Sequence, residues 1–129
     1  MEEADAFAAK AAESLASAED DFAQGRHNSC ARNSYYAAFQ AAVAALLREG
    51  IRPRGQWSHS FVQARFAGVL IARRRSYGSA MRDVLPRLLE VRNTADYSAI
   101  AISASVSRRV LQRARELVRQ VEEQAYGHR

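Results

Sequence analysis

Apolar residues recur every three or four positions along almost the whole chain, and this period limits the fold more than any other feature. Residues three and four apart share one face of an α-helix, whereas a half-buried strand requires strict alternation. The chain has only two prolines and six glycines, and most of them lie between the periodic stretches. The sequence therefore predicts an all-α protein.

The period divides the chain into five predicted helices, over about residues 2–24, 27–48, 58–73, 79–93 and 103–125. Gly25 and Gly50 follow the first two, where glycine commonly ends a helix. Pro86 either lies in the first turn of a later-starting helix or kinks the fourth one. Short connections favour antiparallel neighbours. We expect a single domain over residues 1–129, an up-and-down antiparallel helical bundle of four long helices plus a shorter one.

The chain is basic, with a formal net charge of +5 and Lys10 as the only lysine among 19 basic residues. Arginine suits bidentate contacts with phosphate better than lysine does. A net positive charge is compatible with binding to nucleic acid or to an acidic partner and does not distinguish the two. The run Arg73–Arg75 is either a solvated connection or a contact with an RNA backbone, whose binding would weaken as salt rises.

Several classes of protein do not fit the sequence. No apolar run reaches the roughly 18 residues of a membrane-spanning helix, and the acidic N-terminus does not resemble a secretory signal. We expect a cytoplasmic protein with no membrane contact. Cys30 is the only cysteine, so it is either a packed helical residue or a nucleophile near His27. No metal-ligand spacing or glycine-rich phosphate loop occurs, so we expect no cofactor and no metal.

Polar and aromatic residues are densest in the second predicted helix. Asn28, Arg32 and Tyr36 are four residues apart and share one face, and Tyr35 and Phe39 share the neighbouring face that should enter the core. The tyrosines either pack with their hydroxyls at the edge of the bundle, or Tyr36 lines a groove between helices together with Arg32.

A second polar cluster lies near the end of the fourth predicted helix. Arg92 and Asp96 are four residues apart, with Asn93 and Tyr97 beside them. Arg92 and Asp96 form either an ordinary ion pair or a site in which Arg92 holds a phosphate while a nearby group moves a proton. His59, near the start of the third helix, is either a residue at the edge of the core or a helix cap, or else a functional side chain.

These two clusters resemble those of the HEPN family of helical bundles. The second helix matches through Arg32, Tyr35, Tyr36, Phe39 and Ala42. The segment from Arg92 to Tyr97 is similar to the Arg-x-x-Ala-Asp-Tyr signature of one bacterial and archaeal branch, and His59 followed by Phe66 also fits that branch. The resemblance covers about residues 5–125.

This resemblance implies a dimer that works with RNA or nucleotides. Many HEPN domains are metal-independent ribonucleases whose arginine, polar neighbour and histidine meet their copies across the dimer. Many are encoded beside a minimal nucleotidyltransferase as toxin and antitoxin, and in some pairs that partner adds AMP to a tyrosine. The position five residues beyond Arg92 is Tyr97 rather than histidine, so Asp96 or His59 would have to replace that group.

The resemblance therefore assigns catalysis to Arg92, Asn93, Asp96 and Tyr97, and RNA or nucleotide binding to Arg32, Tyr36 and His59. If a nucleotidyltransferase modifies this chain, Tyr97 is the expected acceptor. The alternative function is a non-catalytic helical module that binds a nucleotide or serves as the scaffold for a nucleotidyltransferase partner.

Overall fold

The computed structural model describes residues 2–127 and contains five α-helices over that range. They are α1 (Glu2–Ala23), α2 (His27–Arg48), α3 (His59–Arg65), α4 (Val84–Tyr97) and α5 (Ala104–Gly127). A π-helix over Phe66–Arg73 continues α3, and a 3-10 turn over Ser79–Met81 precedes α4. Residues 2–127 contain no strand, so the all-α prediction is confirmed.

Helix α2 is the centre of the fold. Its residues 41–47 are all buried, as expected of a helix that is apolar on every side. It packs against α1, α4 and α5. The α1 stripe contributes the small buried residues Ala4, Ala11 and Ala18, which allow the two backbones to approach closely. Residues 24–26 alone join α1 to α2, so these two helices run antiparallel.

Glycine ends both of the first two helices in the way the sequence predicts. Gly25 and Gly50 have φ of 75° and 76°, in the left-handed region that favours glycine. After Gly50, the Ile51 N–H donates to the Leu46 carbonyl at 2.9 Å, which closes the wide turn of a Schellman motif. These turns satisfy carbonyls that the helix leaves without a partner.

The fourth helix begins later and ends later than the predicted range of 79–93. Pro86 is the third residue of α4 and lies in its first turn. Proline has no N–H to donate and collides with the carbonyl four residues before it, so an α-helix cannot run unbroken from Ser79 through Pro86. The helix then continues to Tyr97, so all of the second polar cluster is helical.

The second half of the third predicted helix is π-helical rather than α-helical. The Arg74 N–H donates to the Val69 carbonyl, five residues back, at 2.8 Å. Phe66 and Ile71, also five residues apart, are both buried. A three-to-four period does not distinguish this wider turn from an α-helix. None of the helices in the described range has the length and apolar character needed to cross a membrane.

Candidate functional site

The last turns of α4 carry an ion pair that is largely shielded from solvent. Arg92 and Asp96 lie one turn apart, with the Arg92 Nε atom 2.9 Å from Asp96 Oδ2. Their side chains are only 16% and 14% exposed. The Arg92 Nε–H is not aligned as a hydrogen bond, so this contact is an ion pair held by charge. The ion pair, one of the two alternatives for this spacing, is therefore present and partly desolvated.

A second arginine approaches the same carboxylate from α2. Arg32 Nε donates to Asp96 Oδ1 at 2.7 Å, across 64 positions of sequence. Each oxygen of Asp96 thus faces a different guanidinium group. A carboxylate occupied in this way orients its two arginines and is poorly placed to accept a proton from a substrate. A catalytic role for Asp96 as a base is therefore less well supported than a positioning role.

Two aromatic rings flank the Arg92 guanidinium. Its Cζ atom lies 5.8 Å from the centroid of the Tyr36 ring and 5.8 Å from that of the Tyr97 ring. These distances fit cation–π contacts. Burial lowers the pKa of Arg92, but its contact with Tyr36 and its nearness to Tyr97 and Asp96 raise that pKa above the usual value overall. Arg92 is therefore a permanent cation in a partly closed setting.

His59 is in contact with Tyr35, the residue next to Tyr36 on α2. Its Nδ1 atom is 2.5 Å from the hydroxyl of Tyr35, a residue with no exposed surface. The imidazole contacts the rings of Tyr35 and Phe39, each at a centroid distance of 5.4 Å. Burial raises the pKa of Tyr35. Partial burial, and secondly the charge of Arg92, lower the pKa of His59. His59 is therefore mainly neutral at pH 7.

The capping alternative for His59 does not hold. His59 is the first residue of α3, and the residue before it, Ser58, is the N-cap. The Ser58 hydroxyl accepts a hydrogen bond from the Phe61 N–H at 3.1 Å. The His59 side chain is thus not needed to satisfy the start of the helix, and its Nδ1 edge is committed to Tyr35 instead.

The structure brings most of the predicted site residues together. Arg32, Tyr36, Arg92 and Asp96 form one contiguous cluster, and Tyr35 connects it to His59. The remaining two predicted residues lie at its rim. Asn93 is exposed, with its Oδ1 atom 3.4 Å from Arg92 Nη1, a long contact.

Tyr97 has one face over Arg92, while 76% of its surface is exposed. It therefore lies where a second protein or a ligand could reach it. Like Asn93, it forms part of the boundary of the cluster rather than its interior.

Two contributions to the site were not assigned from the sequence. Tyr35 was predicted to enter the core, in one alternative with its hydroxyl at the edge of the bundle, and a contact of that hydroxyl with His59 was not foreseen. Asn28 Oδ1 accepts a hydrogen bond from the Ile102 N–H at 2.9 Å and so holds the segment between α4 and α5. The spacing of Asn28, Arg32 and Tyr36 was the available signal, because one face of α2 makes all three contacts with the end of α4 and the segment after it.

Cys30 is structural, and for the basic run Arg73–Arg75 the contact with an RNA backbone stays a prediction. Cys30 is fully buried, and burial raises the pKa of its thiol, which fits the packed alternative. Within the basic run, Arg74 pairs with Glu49 at 3.0 Å. Among residues 2–127, no group of three or more histidine, cysteine or acidic side chains is arranged to hold a metal ion.

Comparison with known proteins identifies a family for the chain. The family model of the HEPN domain matches residues 4–124, nearly the whole chain. No curated protein matches the sequence. HEPN domains are nucleotide- or RNA-related modules that commonly dimerise, and they are often of the ribonuclease type. The match over most of the chain, on an all-α fold with the arginine and tyrosine cluster between α2 and α4, shows that this chain belongs to the HEPN family.

Proposed function

We propose that this protein acts on RNA by binding a backbone phosphate at Arg92, in a cleft shared by two copies of the chain. The observation that carries the proposal is the setting of Arg92. Its guanidinium is a permanent cation, largely shielded from solvent and oriented by Asp96, Tyr36 and Tyr97. Each guanidinium has five N–H donors, and Asp96 faces the Nε atoms of Arg92 and Arg32. A phosphate would compete for the outer Nη donors, of which Arg92 Nη1 makes only a long contact of 3.4 Å with Asn93 Oδ1.

The reaction that this site supports is cleavage by the RNA's own 2′-hydroxyl. The 2′-oxygen attacks the neighbouring phosphorus, the bond from phosphorus to the 5′-oxygen breaks, and a 2′,3′-cyclic phosphate and a 5′-hydroxyl result. Arg92 stabilises the negative charge that grows on the phosphate oxygens. Both oxygens of Asp96 are occupied. The proton of the 2′-hydroxyl therefore leaves to solvent, and solvent supplies the proton for the 5′-oxygen.

The test is cleavage of a labelled single-stranded RNA by the purified protein and by Arg92→Ala. Arg87→Ala is the matched control, because it removes an arginine from the same helix that forms only an exposed pair with Asp83. We expect Arg92→Ala to reduce the cleavage rate by about a hundredfold, the usual effect of removing one donor to a developing oxyanion. Arg87→Ala should retain wild-type cleavage. Equal rates for all three proteins would refute the proposal.

A second candidate is a non-catalytic module partnered by a nucleotidyltransferase. It is favoured by the absence of an imidazole after Arg92 on α4 and by the 76% exposure of Tyr97. In the transfer, the Tyr97 phenol oxygen would bond to the α-phosphorus of ATP as pyrophosphate leaves, with the phenol proton passing to solvent. RNA binding that depends on Arg92 without any cleavage would select this candidate.

The transfer of AMP to Tyr97 can be tested separately from RNA cleavage. Mass spectrometry after co-expression with a nucleotidyltransferase encoded next to this chain should find AMP on the Tyr97 peptide and none on Tyr97→Phe. Tyr126→Phe is the control, since Tyr126 is also exposed, at 65%. AMP retained by Tyr97→Phe, or found on other residues only, would assign the acceptor elsewhere.

A further inference from the structure

The hydrogen bond between Tyr35 and His59 determines which nitrogen of the imidazole carries the proton. Burial keeps Tyr35 protonated, so its hydroxyl has a hydrogen to donate inside the core. Among residues 2–127, the hydrogen-bond partner of that hydroxyl is His59 Nδ1. If Nδ1 carried the proton, two hydrogens would face each other or the buried hydroxyl hydrogen would lack an acceptor, which costs free energy. Tyr35 therefore donates, Nδ1 accepts, and the proton of the neutral ring lies on Nε2.

The Nε2–H is available to a ligand. His59 is exposed as a whole residue, although its Nδ1 edge and one ring face contact Tyr35 and Phe39. Its Nε2 atom forms no hydrogen bond with the described residues 2–127. The tilted ring contact and the hydroxyl bond to Tyr35 fix the orientation of the imidazole, so this donor has a defined direction.

A chain of aromatic contacts connects the imidazole to Arg92. The ring centroids of His59 and Tyr35 are 5.4 Å apart, those of Tyr35 and Tyr36 are 6.2 Å apart, and Arg92 Cζ lies 5.8 Å from the Tyr36 centroid. After burial, the charge of Arg92 is the second cause that lowers the pKa of His59. A second full cation at His59 would repel Arg92, whereas a neutral N–H donor adds a hydrogen bond without that repulsion. A phosphate group has several oxygens to satisfy, and Arg92 alone cannot reach all of them from one side.

We infer that His59 is a second anion-binding residue of the Arg92 site, a neutral imidazole whose Nε2–H donates to an oxygen of the same phosphate. This inference rests on the proposed binding of phosphate by Arg92. It gives His59 a binding role rather than the role of the missing family base. Tyr35 becomes a positioning residue, because it fixes the tautomer without touching the ligand.

Nitrogen-15 NMR of the whole protein tests the tautomer directly. At neutral pH we expect His59 to show a protonated Nε2 and an unprotonated Nδ1, and Tyr35→Phe to show a mixture of both tautomers. Adding inorganic phosphate should shift the His59 Nε2 resonance in the wild type and leave it unshifted in Arg92→Ala. A His59 protonated on Nδ1, or a resonance that moves with neither phosphate nor RNA, would overturn the inference.

Binding measurements test whether the His59 Nε2–H donates a hydrogen bond to the phosphate. The probe is a short single-stranded RNA with 2′-O-methyl groups, which cannot be cleaved, and the readout is fluorescence anisotropy. A glutamine side chain places an N–H near the position of imidazole Nε2, whereas asparagine places one near Nδ1. We expect His59→Gln to retain affinity and His59→Asn to lose about tenfold, the effect of one hydrogen bond to a charged group. Equal loss in the two variants would overturn the inference.

The outcomes separate this inference from the proposed function. If Arg92→Ala abolishes RNA binding while His59→Gln and His59→Asn both retain wild-type affinity, phosphate binding by Arg92 stands and the role of His59 falls. The wild type could bind no RNA while inorganic phosphate still shifts the His59 Nε2 resonance in an Arg92-dependent way. Arg92 and His59 would then be confirmed as an anion site, and RNA would be excluded as its ligand. Thermal unfolding of each variant shows that the fold is retained.

Discussion

Asp96 joins two arginines that are distant in sequence, and this role gives it a larger part in stability than a surface acid has. Its side chain is 14% exposed and its oxygens face Arg32 and Arg92 at 2.7 and 2.9 Å. An exposed ion pair contributes little, roughly 0 to 1 kcal/mol. Loss of a partner from a partly buried pair leaves a cation with poor solvation, so the effect is larger.

We therefore expect Asp96→Asn to lower the free energy of unfolding by about 2 kcal/mol. Asp20→Asn is the matched control, since Asp20 pairs with Arg26 at the surface, and it should change stability by less than about 0.5 kcal/mol. Chemical denaturation of the three proteins measures the difference. Equal effects of the two substitutions would show that the shared carboxylate contributes no more than a surface pair.

The backbone conformation of Arg75 leads to a second prediction about stability. It is the only non-glycine residue with positive φ in the described range, at 52°. A side chain in this left-handed region costs roughly 1 kcal/mol, which glycine avoids. Arg75→Gly should raise the free energy of unfolding by about 0.5 kcal/mol, and Arg73→Gly, which removes the same charge from the π-helix, should lower it. A lower stability of Arg75→Gly would contradict the assignment of strain.

At the scale of elements, the turn between α1 and α2 depends on one buried carboxylate. Asp21 accepts hydrogen bonds from Arg26 Nε and Asn33 Nδ2, each at 2.8 Å. Burial raises the pKa of Asp21, but these donors lower it more, so it lies below its usual value. The network ties the end of α1 to the first turns of α2.

The sign of the pH effect follows from that lowered pKa. The unfolded chain binds a proton at Asp21 more readily than the folded one does. The contribution of Asp21 is therefore fully present above the unfolded pKa and is lost as pH falls through the folded pKa. We expect Asp21→Asn to be less stable at pH 7 and to show a shallower loss of stability as pH falls below about 4, the ordinary pKa of an aspartate. Identical pH profiles for the two proteins would exclude this network as a source of acid sensitivity.

The helices also show which boundaries and helix types can be predicted from sequence periodicity and which cannot. The range of α2 is the predicted one, 27–48, because Gly25 and Gly50 separate it from its neighbours. The predicted start of the fourth helix at residue 79 was too early, and of the two alternatives for Pro86 the first turn of a later-starting helix is confirmed. The π-helix was also missed, since its hydrogen bonds differ by one residue while its buried positions resemble those of an α-helix.

At the scale of the whole molecule, exposed apolar and aromatic side chains lie close to Arg92 in the chain. Tyr97 and Ile100 are 76% and 70% exposed and lie at the end of α4 and just after it. Asn28 holds the segment that carries Ile100 through its bond to the Ile102 N–H. If two copies share the Arg92 cleft, these side chains form the surface that the second copy covers.

We therefore predict that Ile100→Asp converts the dimer of the proposed function into a monomer, because burying a carboxylate in the seam is unfavourable. Ala12→Glu, an exposed position on α1, should leave the dimer intact. Sedimentation velocity over a range of concentrations measures both. A wild type that is monomeric throughout would refute the shared cleft, and an Ile100→Asp variant that still dimerises would place the contact between the copies on another surface.

The sequence by itself determined which residues lie on one helix and on one face of it. The spacing of four residues offered the ion pair of Arg92 and Asp96 as one of two alternatives, and it placed Asn28, Arg32 and Tyr36 on one face, because an α-helix repeats every 3.6 residues. The all-α architecture followed from the same period.

Only the tertiary structure decided which faces meet. Arg32 reaches Asp96 across 64 positions, and the Tyr35 hydroxyl reaches His59 across 24. Periodicity fixes a direction within each helix, but it does not contain the rotation and offset of one helix against another. Those quantities depend on how the small residues of α1 and the larger residues of the other helices pack around α2. The double pairing of Asp96 and the contact between the Tyr35 hydroxyl and His59 therefore had to be observed.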